Sequence, residues 1–147
     1  VEEEIVDSPV GWVAKHIDSY VNSDGGKGHE YYGANALLLT TRGRKSGKLR
    51  RTALYYGGRG DDVVLVASNG GSVGHPFWYR NLAADPSVTV QIKDDVYAAV
   101  ARTAEGAERA ELWELMTGVF PTYAQYQAKV EREIPVVVLT RATGEAA

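Results

Sequence analysis

Apolar positions recur along this chain with two different periods, and the change from one to the other divides it. Val10, Val13, Ile17 and Tyr20 fall at helical spacing with Trp12 and His16 beside them, which predicts an amphipathic helix over residues 9–21. Ser8 offers a capping hydroxyl, and Pro9 stands where the first helical N–H has no partner to lose. Asn22-Ser23-Asp24-Gly25-Gly26 then ends the helix with turn formers. From Ala36 onward the pattern becomes short apolar runs broken by glycine, at 36–41, 49–56, 63–67, 88–92, 96–102 and 135–140, and each reads as a strand. The connections at 43–47, 57–61 and 94–95 are too short for a parallel crossover, so neighbours should pair antiparallel. Helical patterns remain at 76–82, 106–117 and 121–130. The middle one should present Ala110, Trp113 and Met116, widened by Leu112 and Leu115, and stop at Gly118.

The expected fold is therefore mainly β with helices, in the α+β class. It is a six-stranded antiparallel barrel, closed so that no edge is left exposed, with an N-terminal helix and two C-terminal helices before the last strand. At 147 residues the chain suits a single domain spanning 1–147, with a barrel core over 36–140. The chain has no cysteine, no apolar run near the roughly twenty residues of a membrane span, and an acidic Val1-Glu2-Glu3-Glu4 opening unlike a signal peptide. These features predict a cytoplasmic protein without an integral membrane segment.

Charge changes the picture at one place. Six of the ten residues from Arg42 to Arg51 are basic, in a chain of net charge −3. They fall on a hairpin tip, so they form either a solvated turn or a site for a multiply charged anion. Strand alternation places Arg50, Thr52, Leu54 and Tyr56 on one face and Leu49, Arg51, Ala53 and Tyr55 on the other. Arg50 and Lys45 can then act together on a phosphate or carboxylate while Arg51 points away.

Three more segments could carry chemistry. Val66-Ala67-Ser68-Asn69-Gly70-Gly71-Ser72 ends a strand in small residues, where successive N–H groups can form an anion nest, or a plain loop. His75-Pro76-Phe77-Trp78-Tyr79-Arg80-Asn81-Leu82 carries three consecutive aromatics that cannot all face the core of a short helix. Phe120, Tyr123 and Tyr126 form a stripe that is either packing or an apolar wall with phenol donors. His16, His29 and His75 lack a second ligand at useful spacing, so no metal site is expected. No nucleophile elbow, Walker sequence or GxGxxG is present. Cations, glycines and aromatics without a nucleophile describe a site whose chemistry comes from a bound cofactor.

Taken in order, Gly43-Arg44-Lys45-Ser46-Gly47 within 38–56, Ala67-Ser68-Asn69-Gly70-Gly71, Pro76 to Leu82, and Tyr123-Ala124-Gln125-Tyr126 followed by Ile134-Pro135 resemble the deazaflavin-dependent nitroreductase family. The resemblance implies a split barrel that uses reduced coenzyme F420. It implies that Arg44, Lys45, Ser46 and Arg50 hold the coenzyme's phosphate and acidic tail. Thr52, Ala53, Leu54 and Tyr55 would lie along it, with Val66, Ala67, Ser68 and Asn69 approaching from the next strand. Phe77, Trp78 and Asn81 would close the pocket, and Tyr123 and Tyr126 would face the acceptor as the catalytic phenols. Asn69 and Phe120 stand where the family's prodrug-activating member has lysine and tyrosine. The reaction implied is hydride transfer to a small electron-poor acceptor: a quinone, an activated enone or lactone, or a nitroaromatic. The competing readings are an FMN-dependent split barrel, a non-catalytic F420 carrier and a single-strand nucleic-acid module. Net charge and the lack of a second basic patch argue against nucleic acid. A monomer or weak homo-oligomer is expected, with peripheral membrane contact the least favoured role of the N-terminal helix.

Overall fold

The computed structural model of the protein describes residues 4–31 and 34–142. The strands are β1 (Ile5–Asp7), β2 (Glu30–Tyr31), β3 (Ala34–Arg42), β4 (Leu49–Tyr55), β5 (Gly57–Arg59), β6 (Asp62–Val66), β7 (Ser87–Ile92), β8 (Asp95–Thr103) and β9 (Val136–Arg141). The helices are α1 (Gly11–Asn22), α2 (Phe77–Ala84), α3 (Gly106–Val119) and α4 (Thr122–Lys129), and a 3-10 turn spans Asn69–Gly71. All six expected strands are present, but among the described residues the count is nine, because β1, β2 and β5 are too short to show a period. None of the described helices is long and apolar enough to cross a membrane.

The strands form one sheet in the order β1-β4-β3-β7-β8-β9-β6-β5, with β2 paired to β3. Every pairing is antiparallel except β1 with β4, where Ile5 to Asp7 run parallel to Leu49 to Arg51. The expected closed ring is not formed: β1 and β5 end the hydrogen-bonded path. The chain itself crosses the gap, because β4 leaves β3 at Tyr55 and β5 resumes at Gly57 against Val64 of β6. Beyond Arg51, residues Thr52 to Tyr55 have a strand partner only on the β3 side among the described residues, which leaves that edge of the sheet open.

The wholly apolar strands are explained by cover on both faces. Leu37 and Leu39 of β3 point inward with Leu65, Val90 and Leu139, whereas Leu38 points outward against Val13, Ile17 and Tyr20 of α1. Val64, Val66, Val136 and Val138 pack under Leu112 and Met116 of α3 and Tyr123 of α4. In α3 the buried pair is Leu112 and Met116; Ala110 and Leu115 are exposed, and the helix continues through Gly118 to Val119. At the start of α1 Val10 and Trp12 stay exposed, and His16 is buried in the apolar stripe instead. The start of α1 also differs. Ser8 donates its N–H to the Arg51 carbonyl at 2.9 Å, so strand pairing runs past it and Val10 becomes the cap. Glu108 of α3 accepts from Arg59 of β5 at 2.7 Å and Arg102 of β8 at 2.6 Å. Those hydrogen bonds, from Arg102 first and then Arg59, hold its carboxyl down at about 2.

Candidate functional site

A cleft of about 810 Å³ runs along the open edge of β4. The β3–β4 hairpin tip and the end of β6 flank that edge, α2 and α4 form the walls, and residues 6–10 with the first turns of α1 form the roof. Every residue assigned above to the coenzyme or the acceptor lines this cleft except Ala67. Ala67 is fully buried, and its N–H is committed to the Pro135 carbonyl at 2.9 Å.

The basic turn is held by its own backbone. Gly43 donates to the Lys48 carbonyl at 2.7 Å, Gly47 to the Gly43 carbonyl at 2.8 Å, and Arg42 Nη1 to the Gly47 carbonyl at 2.8 Å. Asn81, expected to touch the coenzyme, is only 6% exposed and locks the turn to α2. Its Nδ2 donates to Thr41 Oγ1 at 3.1 Å, and its Oδ1 accepts from the Arg44 N–H at 3.2 Å. Asn81→Ala should therefore lower stability by about 1–3 kcal/mol, because it leaves two groups unpaired. A urea midpoint measures this, and a midpoint equal to wild type would show that the lock is not needed.

Elsewhere arginines are matched to carboxylates: Arg59 and Arg102 to Glu108, Arg109 to Glu133, and Arg141 to Asp95. Among the described residues, Arg44, Lys45 and Arg50 have no ion-pair partner. Arg51 is bound by Asp7 through two hydrogen bonds, at 2.6 and 3.2 Å. Strand alternation separates Arg50 from Arg51 by face, but both line the cleft, because the cleft follows the strand's edge. What distinguishes them is pairing: Asp7 occupies Arg51, and no carboxylate among the described residues occupies Arg50.

The other end is aromatic. The rings of Tyr55, Phe120 and Tyr123 stand in series with centroids 5.0 Å apart at each step. Tyr123 is 5% exposed, and burial raises its phenol well above the ordinary tyrosine value, with the neighbouring Tyr55 and Tyr126 phenols adding to the rise. Its hydroxyl makes no hydrogen bond among the described residues, so it is a neutral donor available to the cleft. Tyr126 is half-buried, with Lys129 Nζ 5.8 Å from its ring centroid. Phe77 is 78% exposed at the rim, and Trp12 is 61% exposed opposite the sheet.

The loop after β6 has Asn69, Gly70 and Gly71 all at positive φ, at 51°, 63° and 80°. The nest reading is narrowed here, because the Gly71 and Ser72 amides donate to Ser68 and Asn69 within the turn. Pro76 precedes α2 in extended backbone and is not its first residue. Two positions that brace the cleft's surroundings escaped the sequence. Asp7 lies in a strand too short to recognise, and Arg132 acts on a loop some 60 positions away in sequence. Neither belongs to a periodic pattern.

Comparison with known proteins identifies the family. The family model for F420H2-dependent quinone reductases matches residues 12–141. An F420H2-dependent quinone reductase of Mycobacterium tuberculosis (strain H37Rv) is 34% identical over 143 residues, covering 88% of this chain and 96% of that protein. A solved F420H2-dependent reductase (FDR-A) is 43% identical with a TM-score of 0.66, covering 71% of this chain and 92% of its own. A solved chain described as a domain-swapped dimer is 38% identical with a TM-score of 0.69, covering 90% and 99%. Structures at 15% and 22% identity, a haem storage protein of Vibrio cholerae and a haem-binding protein of Mycobacterium smegmatis, share the fold alone. With the family model covering most of its length and its motifs gathered along one cleft, the chain belongs to the F420H2-dependent quinone reductase family.

Proposed function

We propose that the protein is an F420H2-dependent reductase, built on one split-barrel domain, that reduces an electron-poor acceptor, with a quinone ahead of an enone, lactone or nitroaromatic. The observation that carries this reading is the set of cations Arg44, Lys45 and Arg50, without an ion-pair partner among the described residues, at one end of an aromatic-lined cleft. The residues present fit the group: a coenzyme with an acidic tail and a flat ring needs cations at one end and apolar walls at the other. When bound, the reduced deazaflavin supplies the hydride.

In this reading the chain's own residues bind, orient and exclude water. Arg44, Lys45, Ser46 and Arg50 hold the phosphate and acidic tail. The open edge at Thr52, Ala53, Leu54 and Tyr55 lies along the coenzyme, and Val66, Ser68 and Asn69 face it from β6 and the following loop. Ala67 contributes only through the backbone that supports them. Phe77 and Trp78 close the rim, while Asn81 holds the turn that carries Arg44. Tyr123 and Tyr126 stand on the acceptor side, where a neutral phenol donates to an oxygen that gains negative charge.

Titration of the protein with F420H2, followed by its oxidation by quinone, enone and nitro compounds, tests the reading. Saturable binding with turnover of at least one acceptor is expected. Binding without turnover would make the protein a carrier, and FMN on the purified protein with no response to F420 would overturn the reading. Tyr123→Phe should lower kcat about tenfold, the value of one hydrogen bond made in the transition state, with F420H2 affinity unchanged. Tyr126→Phe should act in the same direction. If both variants turn over at the wild-type rate with the wild-type acceptor KM, the phenols have no catalytic part.

A further inference from the structure

Arg132 follows α4 and turns its guanidinium back onto the loop that walls the cleft. Its Nη2 donates to the Ser68 carbonyl at 2.9 Å and its Nε to the Ser72 carbonyl at 3.1 Å. Its Nη1 lies 3.4 Å from the Ala67 carbonyl and donates to His75 Nδ1 at 3.0 Å. One planar side chain thus ties both ends of the loop together. Its own backbone is fixed as well. Gln127 Nε2 donates to the Arg132 carbonyl at 2.8 Å, and Gln127 Oε1 accepts from the Ile134 N–H at 2.9 Å. Within the loop Asn69 Nδ2 donates to the Gly74 carbonyl at 3.1 Å. Gly71 packs so closely on Tyr126 that a Cβ there would lie 3.1 Å from the ring.

We propose that Arg132 is a positioning residue which, acting with His75, sets the Ser68–His75 loop and through it the cleft wall at Ser68, Asn69 and Gly70. The wall's role toward the coenzyme rests on the function proposed above; the hold on the loop does not. A lysine cannot replace the fork, since a single ammonium cannot meet three carbonyls and an imidazole in these directions.

The arrangement carries a pH dependence. His75 Nδ1 accepts from a guanidinium, so the ring must be neutral with its proton on Nε2. Burial, then the Arg132 charge, then the Arg80 charge all lower its affinity for a proton. The groups facing it are Arg132 from the turn after α4, and Arg80 and the Tyr79 ring, 4.9 Å between centroids, from α2. Because the folded value lies below the unfolded one of about 6.5, loop order is complete above that pH and is lost as pH falls through the folded value.

Amide hydrogen exchange over residues 68–75 in the ligand-free protein tests the proposal, with F420 titration run in parallel. Arg132→Lys should speed exchange at the hydrogen-bonded Gly71 and Ser72 amides about tenfold without changing β3 or β9, and weaken F420 about tenfold. After correction for intrinsic rates, the wild type should exchange faster at about pH 5.5 than at about pH 7.5, either side of the ordinary histidine value. His75→Asn, whose amide oxygen can accept in place of Nδ1, should stay protected and lose that acceleration. His75→Leu should exchange fast at both, and it carries the test if Arg132→Lys fails to fold. Wild-type exchange in Arg132→Lys, or an unchanged pH response in His75→Asn, would overturn the clamp. Faster exchange with undiminished F420 affinity would overturn the role of the wall. A wild type that binds no F420 sinks the proposed function while the exchange data still decide the clamp.

Discussion

Arg50→Ala is expected to weaken F420H2 binding about tenfold, and the Lys45→Ala/Arg50→Ala pair about a hundredfold, since a charge-assisted hydrogen bond is worth roughly 1.5–3 kcal/mol. Neither side chain has a carboxylate partner among the described residues, and both are solvent-facing, so thermal unfolding should not change. Arg51→Ala separates the two roles. It removes the bidentate pair with Asp7 and so loosens β1 on β4. Both partners are partly exposed, which limits the loss to about 1 kcal/mol or less, and the effect on coenzyme affinity should be smaller than that of Arg50→Ala. Fluorescence titration at two salt concentrations checks this. The wild type should lose affinity steeply with salt and the double variant should not. A larger loss of affinity from Arg51→Ala than from Arg50→Ala would show that pairing with Asp7 does not decide which arginine meets the ligand.

Gly25→Ala should cost about 3 kcal/mol or more, which for a chain of this size lowers the unfolding midpoint by roughly 10 °C. Gly25 has φ +80°, and an added Cβ would sit 2.2 Å from the Lys93 Cα, a backbone atom that cannot turn aside. Lys93 is itself at positive φ in the β7–β8 turn, so neither partner has an easy retreat. The contact is part of a larger joint. Gly25 donates to the Tyr20 carbonyl at 2.8 Å, and the Lys93 N–H donates to Tyr20 Oη at 2.7 Å. Displacing this end of α1 would also disturb Val13 and His16, which line the cleft from the same helix. Gly60→Ala is the control. It carries φ +61° with nothing within 4 Å, so only the backbone term of about 1 kcal/mol applies. If the two variants melt together, the close approach is not the cause.

The six main strands and four helices were legible because each is long enough to repeat a period. The closure of the sheet was not. The hydropathy of β4 is the same whether its outer edge meets another strand or a cleft, and only the assembled topology leaves Thr52 to Tyr55 open. Gly57 and Gly58 read as a turn for the same reason. As a three-residue strand they have no side-chain pattern, and pairing with Val64 and Val63 is a backbone matter. The site was legible where types cluster, as in the basic hairpin. It was not legible where one residue acts alone at a distance: Asn81 carries no charge signal for its hold on Arg44, and Arg132 stands between Glu131 and Glu133, where its charge gives no sign of its hold on Ser68.

The short strands at the ends of the sheet bear on behaviour at high concentration. An open sheet offers its border as a template on which another molecule's strand can dock, and repeated docking builds aggregates. Here the borders are β1 and β5, three residues each. The longer edge on β4 that no described strand covers lies recessed in the cleft, with α1 lining the same space. A protein can thus keep a gap wide enough for a small molecule without presenting the gap to its own copies.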